Sequence, residues 1–276
     1  MPRYFAIYIF TLLIIFLATI SCQSKKKSKY ILAPFTELDT LSTNDWWNRK
    51  NSPIISMKVP RDQVIAFGIY TTSNNTLKLS AQLFPLYPEE SRIVKLAFYI
   101  DNTWKVVQTE QVNEIGWSVL FRIDNWEVNK NIKYKLIHGK KAFFEGLIRK
   151  DPINKAEIKL AALSCNSNKD RGNRDEYVRN INTLDPDLIF FAGDQSYDHK
   201  EHTAAWIKFG LQFRELFRDR PCITIPDDHD IGQGNLWGEG GKKSMRKDGN
   251  DGGYFFHPEY VKMVERAQTA HLPDPY

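Results

Sequence analysis

Cysteine is scarce in this chain, with three in 276 residues, which excludes a small disulfide-stapled scaffold with its dense, even set of half-cystines. No tract is of low complexity and no segment recurs at a fixed period, so solenoids and repeat arrays are excluded as well. An excess of one charge is missing from most of the chain. The formal charge is +5, yet Arg3, Lys25, Lys26, Lys27 and Lys29 are the only charged residues before Tyr30. From Tyr30 onward 33 basic residues face 33 acidic ones, and such a body has no electrostatic footprint for specific nucleic-acid binding. What the sequence does hold is apolar matter. Hydrophobic residues make up 42% and aromatic residues 13%, enough for the cores of two modest domains rather than for disorder.

Arg3 precedes a nearly unbroken apolar run from Phe5 to Ile20, which ends at Ser21-Cys22. A positive residue, an apolar stretch and a small residue at the boundary describe a secretory signal over residues 1–21. A cysteine directly after that boundary points to a bacterial lipoprotein, cleaved before Cys22 and lipidated on its thiol. Thr19 departs from the usual lipoprotein box, where an aliphatic residue stands. Two alternatives stay open here: an uncleaved anchor, since roughly 17–25 apolar residues can span a bilayer, and a cleaved soluble form. Lysines 25–29 favour anionic headgroups, although positive charge tends to stay on the cytoplasmic side. The expectation is an exported protein anchored through lipid, periplasmic or at the cell surface. Residues 22–53 then serve as lipidated tether and linker.

Residues 54–152 alternate apolar and polar positions over short runs such as Val64–Tyr70, Leu77–Leu83, Val94–Ile100, Trp117–Ile123 and Ala142–Ile148. Turn residues separate them, among them Ser73-Asn74-Asn75, Asp101-Asn102 and Asp124-Asn125. Short strands at that spacing, with no convincing helix, predict an all-β sandwich of the immunoglobulin or fibronectin type as an accessory domain. Trp117 and Trp126 read as packing residues of that sandwich.

Past Asp151-Pro152 the texture changes, and residues 153–276 read as a second domain. Ile158–Leu163 is a continuous apolar run, suited to a strand buried on both faces. A helical pattern follows through Tyr177, Ile181 and Leu184, then a second buried strand at Leu188–Ala192. Thr203–Phe217 reads as one helix and Ile223–Ile225 as a third strand. Strands alternating with helices predict an α/β domain with a mostly parallel sheet. Ligands of such sheets bind beyond the carboxyl ends of the strands, and each of the three ends carries a polar cluster. These are Ser164-Cys165-Asn166, Gly193-Asp194-Gln195-Ser196-Tyr197 and Asp227-Asp228-His229-Asp230. Clustered carboxylates are costly unless a cation holds them, so a metal site is expected. A disulfide between Cys165 and Cys222, or an inert thiol at Cys165, remains the alternative at that position.

A strand ending in Gly-Asp, followed by one ending in Asp-His-Asp, resembles the calcineurin-like metallophosphoesterases. Cys165 where most of them carry Asp-x-His, Tyr197 three positions after Asp194, and Asp227-Asp228-His229 resemble the PhoD-like branch, alkaline phosphatase D. A β-sandwich before the catalytic domain is also similar to that branch. The resemblance implies a phosphomonoesterase or phosphodiesterase acting outside the cytoplasm on a phosphoester substrate. It implies iron(III) held by Cys165, Asp194 and Tyr197, with Asp194 bridging to calcium that Asp228 helps to hold. Thiolate and phenolate suit iron and carboxylates suit calcium. His229 is implied as general acid or electrostatic stabiliser, in a two-metal activation of water. His199, His202 and Asn235 are possible rim residues, with a solvated helix start the bland alternative for the two histidines.

The family completes its site well downstream of the third motif. Here only His257 and His271 follow His229, no closing helix or strand is legible near the end, and the expectation is an incomplete metallophosphoesterase domain lacking downstream ligands. The competing reading is a non-enzymatic surface lipoprotein with a glycan-binding sandwich and a degenerate hydrolase domain.

Overall fold

The structure, a computed structural model, describes residues 54–167, 172–199, 201–247 and 249–275. The apolar run Phe5–Ile20, Cys22 and the tether up to residue 53 lie outside the described residues. Among the described residues, no helix is long and apolar enough to cross a membrane.

The β-rich runs of the first half become seven strands: β1 (Ile65–Ser73), β2 (Thr76–Leu83), β3 (Ile93–Ile100), β4 (Thr103–Gln111), β5 (Ser118–Asp124), β6 (Ile132–His138) and β7 (Ala142–Ile148). Two of the hairpins turn on Asn74-Asn75 and Asp101-Asn102, all four with φ between 49° and 59°. Asn and Asp tolerate that left-handed region, which tight hairpins need. The strands pair antiparallel in two sheets, of order β1-β2-β5 and β4-β3-β6-β7. The sheets close face to face, since a Cβ added to Gly68 of β1 would lie 2.9 Å from Leu136 of β6 and 3.3 Å from Phe144 of β7. Trp117 and Trp126 are buried in this body, as packing residues.

Strand β1 departs from the expected half-buried alternation. Residues 64–71 are buried without a break, because the second face of β1 carries helices of the chain's other half. Phe67 meets Trp206 edge-on at 5.6 Å and Phe217 at 5.8 Å between ring centroids. The backbone N–H of Leu147 in β7 donates to the Arg218 carbonyl at 2.8 Å, and one apolar core runs through both halves.

The second half builds a three-stranded parallel sheet of order β10-β9-β8, from β8 (Leu160–Leu163), β9 (Leu188–Ala192) and β10 (Cys222–Ile225). Helix α1 (Arg174–Leu184) connects β8 to β9, while α2 (His202–Gln212) and α3 (Arg214–Phe217) connect β9 to β10. The single helix expected over Thr203–Phe217 is divided at Phe213, whose φ of −111° leaves the helical region. Burial of β8 on both faces does not hold. Ile158 and Leu160 are 54% and 55% exposed, because β8 is an edge strand of the described sheet.

A short helix α4 (Asp228–Ile231) follows β10, and a longer α5 (Pro258–Thr269) comes near the end, where no closing helix was expected. Pro258 opens α5, and the His257 imidazole accepts from the Glu259 N–H as its N-cap, a favoured start. Tyr260, Met263, Val264 and Ala267 form its buried stripe, and the Thr224 hydroxyl of β10 donates to the Gln268 carbonyl. Past α5, Asp274 accepts from Lys78 at 3.2 Å and Arg122 at 2.6 Å.

His202 and His271 are both buried, and burial pushes each imidazole down to about 3. Their folded-state values lie below the unfolded one near 6.5, so the unfolded chain binds more protons as the pH falls. The stability these neutral histidines contribute is complete above pH 6.5 and is lost between 6.5 and about 3. The slope approaches two protons, about 2.7 kcal/mol per pH unit. Thermal melts between pH 7.5 and 4.5 are expected to show it, and His271→Gln to make the decline shallower.

Candidate metal centre

The three parallel strands end level with one another. Leu163 lies opposite Phe191, and Ile225 opposite Ala192, so Cys165, Asp194 and Asp228 each emerge two or three residues beyond one edge. Pairing continues past the strands, with Cys165 N donating to the Gly193 carbonyl at 3.3 Å and Asn166 N to the Asp194 carbonyl at 2.8 Å. Cys165 and Asp194 both sit in the left-handed region, at φ 58° and 57°. For non-glycine residues this is uncommon backbone of the kind that gathers at functional sites. Gly193, at φ 83°, is required twice over, because an added Cβ would stand 2.6 Å from the Asp227 Cβ.

The acidic third motif divides its labour. Asp227 is the N-cap of α4, accepting from Asp228 N, while the Asp230 carboxylate accepts from Asp227 N in return, a capping box. Asp230 is buried, and burial raises its carboxyl to about 7. Only Asp228 and His229 are left to face the strand ends. Asp194, Asp228 and His229 bring ligand atoms within 4.8 Å of one another.

Around that trio the sequence candidates assemble unequally. The Tyr197 hydroxyl donates to Asp194 Oδ2 at 2.7 Å. Burial first, then the hydrogen bonds with Cys165 and Asp194, hold its phenol well above its ordinary value. Cys165 Sγ lies 3.7 Å from the same carboxylate oxygen. His199 stacks on His229, with ring centroids 4.8 Å apart and Nε2 2.5 Å from His229 Nδ1. Tyr197 covers the imidazole of His229 at 4.1 Å between centroids. Asn235 reaches the site by its backbone, its N–H donating to Asp228 Oδ2 at 2.6 Å. A cavity of about 180 Å³ opens beside Cys165 and Asp194, lined further by Arg174, Tyr177 and Phe213.

His202 shares only a small cavity with Asp198, His229 and Asp230. It begins α2 as a buried residue, stacked over Trp206 and 3.2 Å from Gln268 Nε2. His257 caps α5, and His271 Nε2 donates to the Cys222 carbonyl at 3.0 Å, so neither downstream histidine joins the centre. The disulfide alternative also fails. Both described cysteines are free, and Cys222 pairs with Ile189 at the start of β9, a strand length from Cys165.

The donor set fits a cation. Asp194 is 7% exposed, and its Oδ1 has no hydrogen-bond partner among the described residues, while Asp228 and His229 stand close. A buried carboxylate oxygen left unsatisfied costs free energy that a bound cation removes. Sulfur, phenol, carboxylate and imidazole are also the donors metals take.

The fold is similar to that of calcineurin-like phosphoesterases of known structure. The solved structure of PhoD superposes with a TM-score of 0.58 at 17% identity, covering 79% of this chain and 48% of that one. Purple acid phosphatase PPD1 from yellow lupin (Lupinus luteus) seeds gives 0.51 at 12% identity, covering 76% of this chain and 40% of that one. The chain therefore spans about half of PhoD and less of the lupin enzyme. At these identities the likeness is one of fold. Neither a protein-family model nor a curated protein matches the sequence.

Proposed function

We propose that this chain belongs to a metal-dependent phosphoester hydrolase working outside the cytoplasm, tethered to a membrane through lipid on Cys22. The observation that carries the reading is the meeting of Asp194, Asp228 and His229, with the buried Asp194 Oδ1 left without a partner among the described residues. Cys165, Asp194 and Tyr197 would hold iron(III), and Asp194 with Asp228 would hold calcium. Bound there, such ions supply Lewis acidity toward phosphoryl oxygens and a nucleophilic water near neutral pH. In this reading the sandwich is an accessory of the immunoglobulin or fibronectin kind, with β1-β2-β5 opposed to β4-β3-β6-β7.

The chain's own residues prepare the proton transfer. When His199 Nε2–H donates to His229 Nδ1, neutral His229 must carry its proton on Nε2. That proton is then available to a leaving-group oxygen, as a general acid requires. Tyr197 and His199 both contact the ring and limit its rotation. Removing the partner in His199→Ala is expected to lower kcat by about tenfold to a hundredfold with KM little changed. His199→Gln, which keeps an N–H donor, should recover part of it. A rise in KM at constant kcat would instead make His199 a substrate contact.

Activity is tested on p-nitrophenyl phosphate and bis(p-nitrophenyl) phosphate with added iron and calcium. Hydrolysis of either ester, abolished by His229→Ala, supports the reading and separates monoesterase from diesterase. Absence of both hydrolysis and metal binding would favour the glycan-binding lipoprotein instead.

A further inference from the structure

Beyond His229 the chain folds into a ring of loop that is braced by hydrogen bonds and leaves unusual side chains outside. The ring starts at the centre itself, where Gly234 approaches His229 so closely that an added Cβ would stand 3.3 Å from Cε1. Gln233, buried, ties the ring across: its Nε2 donates to the Gly249 and Gly253 carbonyls, and its Oε1 accepts from Phe255 N at 2.7 Å. Trp237 N and Gly238 N both donate to the Gly252 carbonyl, while Tyr254 N donates to the Lys242 carbonyl at 2.8 Å. Asp251 closes the turn by accepting from Ser244 Oγ at 2.6 Å and Met245 N at 2.8 Å. The loop is therefore built, with its polar backbone spent internally.

Its outward side chains are Trp237, 77% exposed, and Met245, 85% exposed. With them stand Lys242, Lys243, Arg246 and Lys247, all exposed. Residues 153–276 carry 20 acidic against 17 basic side chains, yet this segment gathers four cations in six positions without an acid. Trp237 and this cationic run flank one segment, since Trp237 N donates to the Gly252 carbonyl and the Lys242 carbonyl accepts from Tyr254 N. Such a pair suits a ligand with a π-face and negative charge. One edge of the indole rests on Gly252, where a Cβ would come within 2.5 Å of the ring, so the ring is positioned before any ligand arrives.

We propose that this rim receives the leaving group of the substrate. The substrate class is a phosphoester or phosphoanhydride whose leaving group bears a planar ring and at least one further negative charge, as the AMP portion of ADP does. The ring stacks on Trp237 and the extra charge meets Lys242, Lys243 and Lys247, while the scissile phosphorus lies toward His229. The inference rests on the phosphoesterase reading for the position of the scissile bond, but its binding step is separable from that reading.

The test is calorimetric titration of the purified chain with ADP, repeated after chelation of metals. Saturable binding is expected, about tenfold weaker in Trp237→Ala and in the combined Lys242→Ala, Lys243→Ala, Lys247→Ala variant. Trp237→Phe should stay within about threefold of the parent, and adenosine or inorganic phosphate alone should bind more weakly than ADP. The ratio between parent and Trp237→Ala is expected to survive chelation, so a failed metal centre would not hide it. No saturable ADP binding, or equal affinity in parent, Trp237→Ala and the lysine variant, would overturn the proposal. The lysine variant changes only exposed side chains and keeps the test open should Trp237→Ala fail to fold.

Discussion

Asp194→Asn is expected to remove hydrolysis by about a thousandfold while leaving the fold as stable as before, or more so without metal. Asp194 is the one carboxylate that touches the other candidates, accepting from Tyr197 and lying near Cys165, Asp228 and His229. Metal charge at such a centre supplies several kcal/mol of transition-state stabilisation, and about 4 kcal/mol corresponds to three decades of rate. The stability half of the prediction follows from the same geometry. A buried carboxylate whose Oδ1 has no partner among the described residues, with Asp228 close by, carries a cost for its charge unless a cation is present. The neutral amide removes that penalty and can still accept from Tyr197. Were Asp194 only a turn residue, Asn would leave activity alone. Thermal melts of the metal-stripped parent and variant, beside kcat/KM of the reconstituted forms, separate the two accounts.

Gly210→Ala is expected to destabilise the protein by about 2 kcal/mol and lower Tm by about 4–8 °C. Helix propensity predicts the reverse, since alanine is favoured over glycine inside a helix by about 1 kcal/mol. Gly210 lies in the last turn of α2, and an added Cβ would fall 1.8 Å from the Phe67 ring. Phe67 cannot yield easily, being fully buried between Trp206 and Phe217. The missing side chain is what lets α2 rest directly on β1 and join the two halves. A raised Tm would mean that this contact is not tight.

Much of the fold is legible in the sequence alone. Asn and Asp pairs at the hairpins marked the β1–β2 and β3–β4 turns because few other residues accept positive φ there, and the three polar clusters beyond apolar runs announced a common sheet edge. What stayed hidden has specific causes. The run at β1 reads the same whether one face or both are covered, and only the partner helices decide. Ile158–Leu163 is apolar enough for a central strand, yet sheet order put it at an edge. His199 and His202 are three residues apart, and nothing local says that one stacks on His229 while the other starts a buried helix. Asn235 acts through its backbone N–H, which no side-chain pattern displays. The helix Pro258–Thr269 carried its signal in Tyr260, Met263, Val264 and Ala267, a spacing of three and four that the surrounding charged residues obscured.

Iron content measured on the purified protein, parent beside Cys165→Ala, tests the central claim most directly. Cys165 is exposed and unpaired by disulfide, so the substitution removes the proposed ligand without disturbing the core. Iron in proportion to protein in the parent, and largely absent from Cys165→Ala, is the expected result. A parent that takes up no iron, or a variant that holds as much as the parent, would contradict it.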